Sequence, residues 1–149
     1  MIRKIGFTGS RAGMNTAQMR ALNYLLSRNL QHPVTDFHHG DCVGSDAQAH
    51  ELARTWPAYR IHLHPPKNNR YRAHCEGAHI THLAEDYIVR NHHIVDQTDF
   101  LIATPDTLLE QARSGTWATV RYAESIGKRL HIILPTGTVV TEVPRVGFI

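Results

Sequence analysis

The run IRKIGFTGSR, residues 2–11, decides the fold. A short β-rich stretch closes on Thr8-Gly9-Ser10-Arg11, and a helical pattern follows a polar turn. Met19, Leu22, Leu25, Leu26 and Leu30 recur at spacings near 3.6, with Asn15 or Thr16 placed to cap the helix. Strand, glycine turn and helix in that order make the first half of a βαβ unit. The same order returns at VTDFHH, residues 34–39, which ends in GDCVGSD before the helical stretch through Ala47, Ala49, Leu52 and Ala53.

Further along, YRIHLH (59–64) alternates as a strand and stops at Pro65-Pro66, whose missing amide donors bar a central strand from continuing. Residues 67–86 have no period and read as a long loop with at most one short helix. Tyr87, Ile88, Ile94 and Val95 mark a helix running into Asp99. FLIA (100–103) is an apolar strand closed by Thr104-Pro105, Thr116 to Gly127 is helical, and HIIL (131–134) is the last buried strand. Strands are expected near 3–8, 35–39, 59–64, 99–103 and 130–134. Their apolar runs point to a mainly parallel sheet of five or more strands covered on both faces. The expected fold is α/β, a single three-layer Rossmann-like domain over residues 1–149, with the runs at Phe100 and Ile132 in the interior of the sheet.

Composition narrows the function. Hydrophobic residues make up 42% and charged residues 19% of 149, which excludes disorder and fibrous repeats. No apolar run reaches the length of a bilayer span, and MIRKIGFTGSR lacks the apolar core and cleavage site of a signal peptide, so a cytoplasmic protein is expected. Two cysteines, Cys42 and Cys75, make no disulfide framework. Residues 1–75 carry ten Lys/Arg against four Asp/Glu, and residues 76–149 carry six against nine. That asymmetry suits a small anion held by the first half, but the formal net charge of +3 is too weak for a DNA-binding face, and neither nucleic acid nor membrane is an expected partner.

In parallel sheets ligands bind beyond the carboxyl ends of the strands, where strand order reverses. Those positions hold Thr8, Gly9, Ser10 and Arg11 after the first strand, and His39, Gly40, Asp41, Gly44 and Asp46 after the second. His64 ends the third, Pro105 follows the fourth, and Arg113, Ser114, Gly115 and Thr116 precede the last helix. Small residues let backbone amides approach a ligand, and a helix N-terminus adds partial positive charge, so each turn can cradle a phosphate. Each turn alone is equally well explained as ordinary strand-to-helix punctuation; their joint placement favours a site. Neither GxGxxG, nor GxxxxGK[ST], nor GxSxG occurs, which removes the usual dinucleotide, P-loop and hydrolase-elbow readings.

Taken together, TGSR (8–11), HHGDCVGSDAQAH (38–50), HPP (64–66), RA (72–73), YIVRN (87–91), IATP (102–105) and RSGTWATVRYA (113–123) resemble the SLOG superfamily. That Rossmann-like group includes DprA-type DNA-processing proteins, lonely-guy phosphoribohydrolases and nucleotide-sensing domains. The resemblance is nearest to its small stand-alone YspA-type members and covers residues 5–137. It implies a nucleotide or nucleotide-derived ligand, with Arg72, Arg90 and Asn91 joining the strand-end residues around it. It departs from the phosphoribohydrolases at RSGTWAT (113–119), where Thr119 stands in place of their PGGxGTxxE glutamate. A hydroxyl replaces a carboxylate neither as a base nor as a stabiliser of oxocarbenium charge. Binding as a sensor, carrier or sequestering protein is therefore expected ahead of N-glycosidic hydrolysis, for which Asp46, Asp41 and Glu110 are the candidate carboxylates, and ahead of DNA processing. By analogy with related Rossmann-like proteins a homodimer is expected, through an exposed helix face at 87–98 or 117–126.

Twelve histidines raise the question of a metal, and seven of them fall between positions 60 and 93. Cys75, His79 and His82 have a spacing that puts three ligands on one helical face if that segment is a helix. With no fourth ligand in view, no metal and no cofactor is expected. Trp117 either stacks on a base or packs internally, and packing is favoured.

Overall fold

The computed structural model describes residues 1–145. Among the described residues, seven strands and four α-helices follow one another along the chain. β1 (Lys4–Gly9), α1 (Thr16–Asn29), β2 (Thr35–His39), α2 (Ser45–Arg54) and β3 (Tyr59–Leu63) form the first half. A single 3-10 turn at Asn69–Tyr71 leads to β4 (Ile80–Thr81), followed by α3 (Tyr87–Asp96), β5 (Phe100–Thr104), α4 (Gly115–Ser125), β6 (Arg129–Ile133) and β7 (Val139–Val140).

The sheet order is β4-β3-β2-β1-β5-β6-β7, parallel throughout except for the antiparallel β7. The chain builds outward from β1 through β2, β3 and β4, then returns to the other side of β1 with β5. Strand order therefore reverses between β1 and β5. The fold is Rossmann-like α/β, and the runs at Phe100 and Ile132 lie inside the sheet as their apolar character requires. The two short strands, β4 and β7, carry no apolar period of their own. They are set by pairing with β3 and β6, which a reading by periodicity does not detect.

Side-chain alternation divides the core into two layers. Ile5, Phe7, Phe37, Ile61, Phe100 and Ile102 face Leu22 and Leu26 of α1 and Ala49 and Ala53 of α2. Leu101, Ala103, Leu130 and Ile132 face Ile94 and Val95 of α3 and Trp117, Val120 and Ala123 of α4. Asn15, not Thr16, caps α1: its side chain accepts from the Gln18 amide while Gln18 reaches back to the Asn15 amide. The buried Gln18 also donates to the carbonyls of Pro105 and Ile133, tying α1 to the ends of β5 and the strand beyond it.

Residues 75–82 are not helical, so the Cys75-His79-His82 face does not form. Cys75 instead lies near His39 and His50, His79 accepts from the Ile61 amide, and His82 joins His62 and His64. Proline, glycine and charge through residues 65–77 deny this segment a helix nucleus.

Candidate functional site

A cleft of about 630 Å³ opens at the carboxyl ends of β1, β2 and β5, where strand order reverses. One wall is Thr8 to Ala12. Its turn is held by the Gly13 amide on the Ser10 carbonyl (3.2 Å), by the Ser45 amide on the same oxygen (3.0 Å) and by the Ser10 amide on Thr104 (3.2 Å). Gly9 is required here because a Cβ would overlap Ser45 of α2 and Thr104 of β5. Gly44, at φ +87°, caps α2 so close to the Arg11 carbonyl that no side chain fits.

The opposite wall is the start of α4. Ser114 caps it, its hydroxyl accepting from the Trp117 amide at 3.2 Å, so the Gly115 and Thr116 amides remain without partners inside the helix. Gly115 has open space around it. Between the walls stand Arg11, Arg70, Arg90 and Arg113, against Asp46 and Asp106. The excess of guanidinium groups and the amides of the helix start give the cleft a positive field.

Arg90 differs from the other three. It is 5% exposed, and its Nη1 donates to the Gly40 carbonyl (2.6 Å) and the His64 carbonyl (3.3 Å), while Nε donates to Asn91 (2.7 Å). It braces the ends of β2 and β3 while presenting its edge to the cleft. Arg11 is exposed and lies 4.0 Å above the Tyr71 ring, with Arg70 5.1 Å from the same ring. Asp46 is buried at the cleft floor, and its carboxylate accepts from the Cys42 amide at 3.2 Å. Burial pushes it up to about 6, against the pull of the Arg90 charge.

The structure brings Thr8, Gly9, Ser10, Arg11, Gly40, Asp46, Arg90, Asn91, Arg113, Ser114, Gly115 and Thr116 to one cavity. Six other positions expected there line no part of it. His39 is fully buried, accepting from the Asp41 amide and bonded to His50, and burial holds it down to about 3. His64 is buried among other imidazoles, and burial holds it down to about 2. Asp41 is fully buried with its backbone at φ 55°, and it accepts from Arg72 (2.9 Å) and from the Cys75 amide (2.8 Å). Although burial opposes ionisation, those donors hold Asp41 below the usual carboxylate range. Arg72 is thereby committed to pinning the loop, Gly44 to its turn, and Pro105 to accepting from Gln18.

Among the candidate carboxylates Glu110 is also absent from the cleft, being paired with Arg121 and Arg145. Thr119 is buried and donates to the Gly115 carbonyl at 2.9 Å. Trp117 is fully buried with its Nε1 donating to Thr107, which settles it as packing. Asn68, Arg70, Tyr71 and Tyr87 also line the cavity, and sequence patterning does not point to them beyond the aromatic Tyr71 set between two arginines in NNRYR.

No family model matches the chain, and no curated protein matches it in sequence. Solved structures do share its fold. A molybdenum cofactor binding protein from the phototrophic bacterium Rippkaea orientalis aligns with TM-score 0.67 and 18% identity, over 90% of this chain and 77% of that one. The Moco carrier protein from Chlamydomonas reinhardtii aligns with TM-score 0.65 and 17% identity, over 91% and 77%. The structural-genomics protein TM1055 aligns with TM-score 0.61 and 14% identity, over 87% and 72%. At these identities the likeness establishes the Rossmann-like fold.

Proposed function

We propose that this protein binds a nucleotide or nucleotide-derived small molecule in the cleft between β1 and α4, as a sensor, carrier or sequestering protein of SLOG type. The observation that carries the reading is the opposition of two walls across the strand-order reversal. Gly115 and Thr116, at the start of α4, line the same cavity as the Thr8–Arg11 turn and four arginines. Amides at a helix start bind a phosphate, and Arg11, held over the Tyr71 ring, adds a guanidinium to the same cavity. Two fold relatives are named for the molybdenum cofactor, which places that cofactor beside nucleotides in the ligand class to be tested.

Titration calorimetry with a panel of nucleoside mono-, di- and triphosphates and with molybdenum cofactor tests the proposal. Saturable binding that is weakened in Arg11→Ala is expected; no binding to any member overturns it.

One observation favours a second reading. Asp46 alone of the three candidate carboxylates lines the cleft, and at about 6 it is poised to exchange a proton near neutrality. In that reading the protein cleaves an N-glycosidic bond. Chromatography for free base after incubation with the same panel separates the two, since turnover abolished by Asp46→Asn rejects binding alone.

The proposal also takes the chain as one domain that forms a homodimer through α3, where Ile88 is 71% exposed. Light scattering at the monomer mass would reject that part.

A further inference from the structure

The charged side chains of the cleft divide by depth. Arg11, Arg70, Arg113 and Asp106 are exposed at its mouth, whereas Asp46 is 7% and Arg90 5% exposed at its floor. The mouth is positive on balance and suits a phosphate. The floor holds one charge of each sign, which suits an uncharged polar group rather than a second anion.

The two floor charges do not pair with each other. Among the described residues Arg90 and Asp46 share neither a hydrogen bond nor an ion pair, although a Cβ on Gly40 would lie 2.5 Å from Arg90 Nη1 and 2.9 Å from Asp46 Oδ2. Gly40, which itself lines the cavity, thus keeps a gap open between them. Each charge also holds hydrogen-bonding capacity in reserve. Arg90 spends Nε on Asn91 and Nη1 on the Gly40 and His64 carbonyls, but the N–H groups of Nη2 have only the Cys42 sulfur, at 3.7 Å. Asp46 Oδ2 accepts from the Cys42 amide, while Oδ1 has no donor among the described residues and opens on the cavity.

Buried charges with unused capacity are costly to desolvate, so a ligand that completes both is favoured. A guanidinium only donates and a carboxylate only accepts. The completing group must therefore present an acceptor to Arg90 beside donors to Asp46. Phe7, Tyr87 and Ile94 line the same cavity and offer apolar surface to the faces of a ring, which a ribose diol does not cover. Every nucleobase sets an acceptor next to a donor, but a carboxylate takes two parallel N–H bonds. Among the common bases, guanine alone has an oxo group followed by a ring N–H and an amino group along one edge, and the pterin ring repeats that edge.

We propose that the floor of the cleft selects a 2-amino-4-oxopyrimidine ring, the edge shared by guanine and pterins, with Arg90 Nη2 donating to the oxo oxygen and the Asp46 carboxylate accepting from the ring N–H and the amino group. The proposal rests on the reading of the cleft as a nucleotide-type site and adds which ring that site takes. Asp46 and Arg90 are its specificity-determining residues, and Gly40 is the opening that admits the ring edge between them. Cys42 places both, its amide holding Asp46 and its sulfur meeting Arg90.

Titration calorimetry of the full chain with GMP, IMP, AMP and neopterin monophosphate tests it. GMP and neopterin monophosphate bind at least about tenfold more tightly than IMP, which lacks the amino group, and AMP, which lacks the oxo group. The tighter of the two identifies the source of the ring. Asp46→Asn, which leaves one acceptor oxygen in place of two, removes the preference, while Arg11→Ala at the mouth weakens all four ligands by a similar factor. Equal measurable affinity for GMP, IMP and AMP, or a preference for IMP or AMP, overturns the edge assignment and leaves the nucleotide reading standing. Binding of none of the four overturns both, and these outcomes are read on the wild type whether or not a variant folds. A preference for GMP that persists in folded Asp46→Asn overturns the assignment of the amino group to Asp46.

Discussion

Arg90 Nη1 donates to the carbonyl oxygen of Gly40 at 2.6 Å, so a guanidinium at the cleft is also a brace between α3 and the end of β2. With its second bond to the His64 carbonyl, this side chain satisfies two backbone acceptors at strand ends. Arg90→Ala is expected to lower stability by about 1–3 kcal/mol for each carbonyl left without a donor. Arg11→Ala removes an exposed side chain that rests on Tyr71 and leaves stability within about 0.5 kcal/mol. It weakens an anionic ligand by about 1.5–3 kcal/mol, tenfold to more than a hundredfold. Urea denaturation and titration calorimetry on both variants check the contrast.

Two glycines at the cleft are expected to respond in opposite ways. Gly9→Ala drives a Cβ into Ser45 and Thr104 and costs about 1–3 kcal/mol or more through overpacking. Gly115→Ala meets nothing within 4 Å in the free protein and stabilises by about 0.4–1 kcal/mol through the unfolded chain. The same methyl stands where a phosphate would approach the α4 amides, so ligand affinity falls as the melting temperature rises. Thermal melts with and without nucleotide measure both.

Asp46 sets a pH dependence of definite sign. Its carboxyl is raised to about 6 in the folded chain from an ordinary 3.8, so between those values the folded state holds a proton the unfolded state has released. The protein therefore loses stability from this group as pH rises from about 4 to 6, by up to about 3 kcal/mol. Asp46→Asn abolishes that loss. Denaturation of wild type and variant at matched pH should show the variant gaining relative stability across this window and holding it constant above pH 7; a constant difference throughout would contradict the assignment.

Thr119→Glu does not convert the protein into a phosphoribohydrolase. The position is 2% exposed and its hydroxyl is spent on the Gly115 carbonyl. A glutamate there is buried without a partner and is expected to cost at least about 2 kcal/mol, read as a lowered urea midpoint with no free base released.

The amino-acid sequence by itself determined the alternation of strands and helices, the interior place of Phe100–Ala103 and Ile132, and the turns Thr8–Arg11 and Ser114–Thr116. These follow from local periodicity and turn chemistry, which each segment carries within a dozen residues. The long-range pairings were decided only by the tertiary structure. Two-residue strands at Ile80 and Val139 exist because β3 and β6 offer free edges. Asp41, in the turn after β2, and Asp46, in the first turn of α2, stand five residues apart, yet one is consumed by Arg72 and the Cys75 amide while the other reaches the cleft. The histidines between 62 and 82 share no helix. They meet because parallel register sets His38 beside His62 and the chain after β4 lays His82 over His64. Which side of a strand a residue faces is written in its alternation, but what it faces depends on segments dozens of residues away, and only the closed fold supplies them.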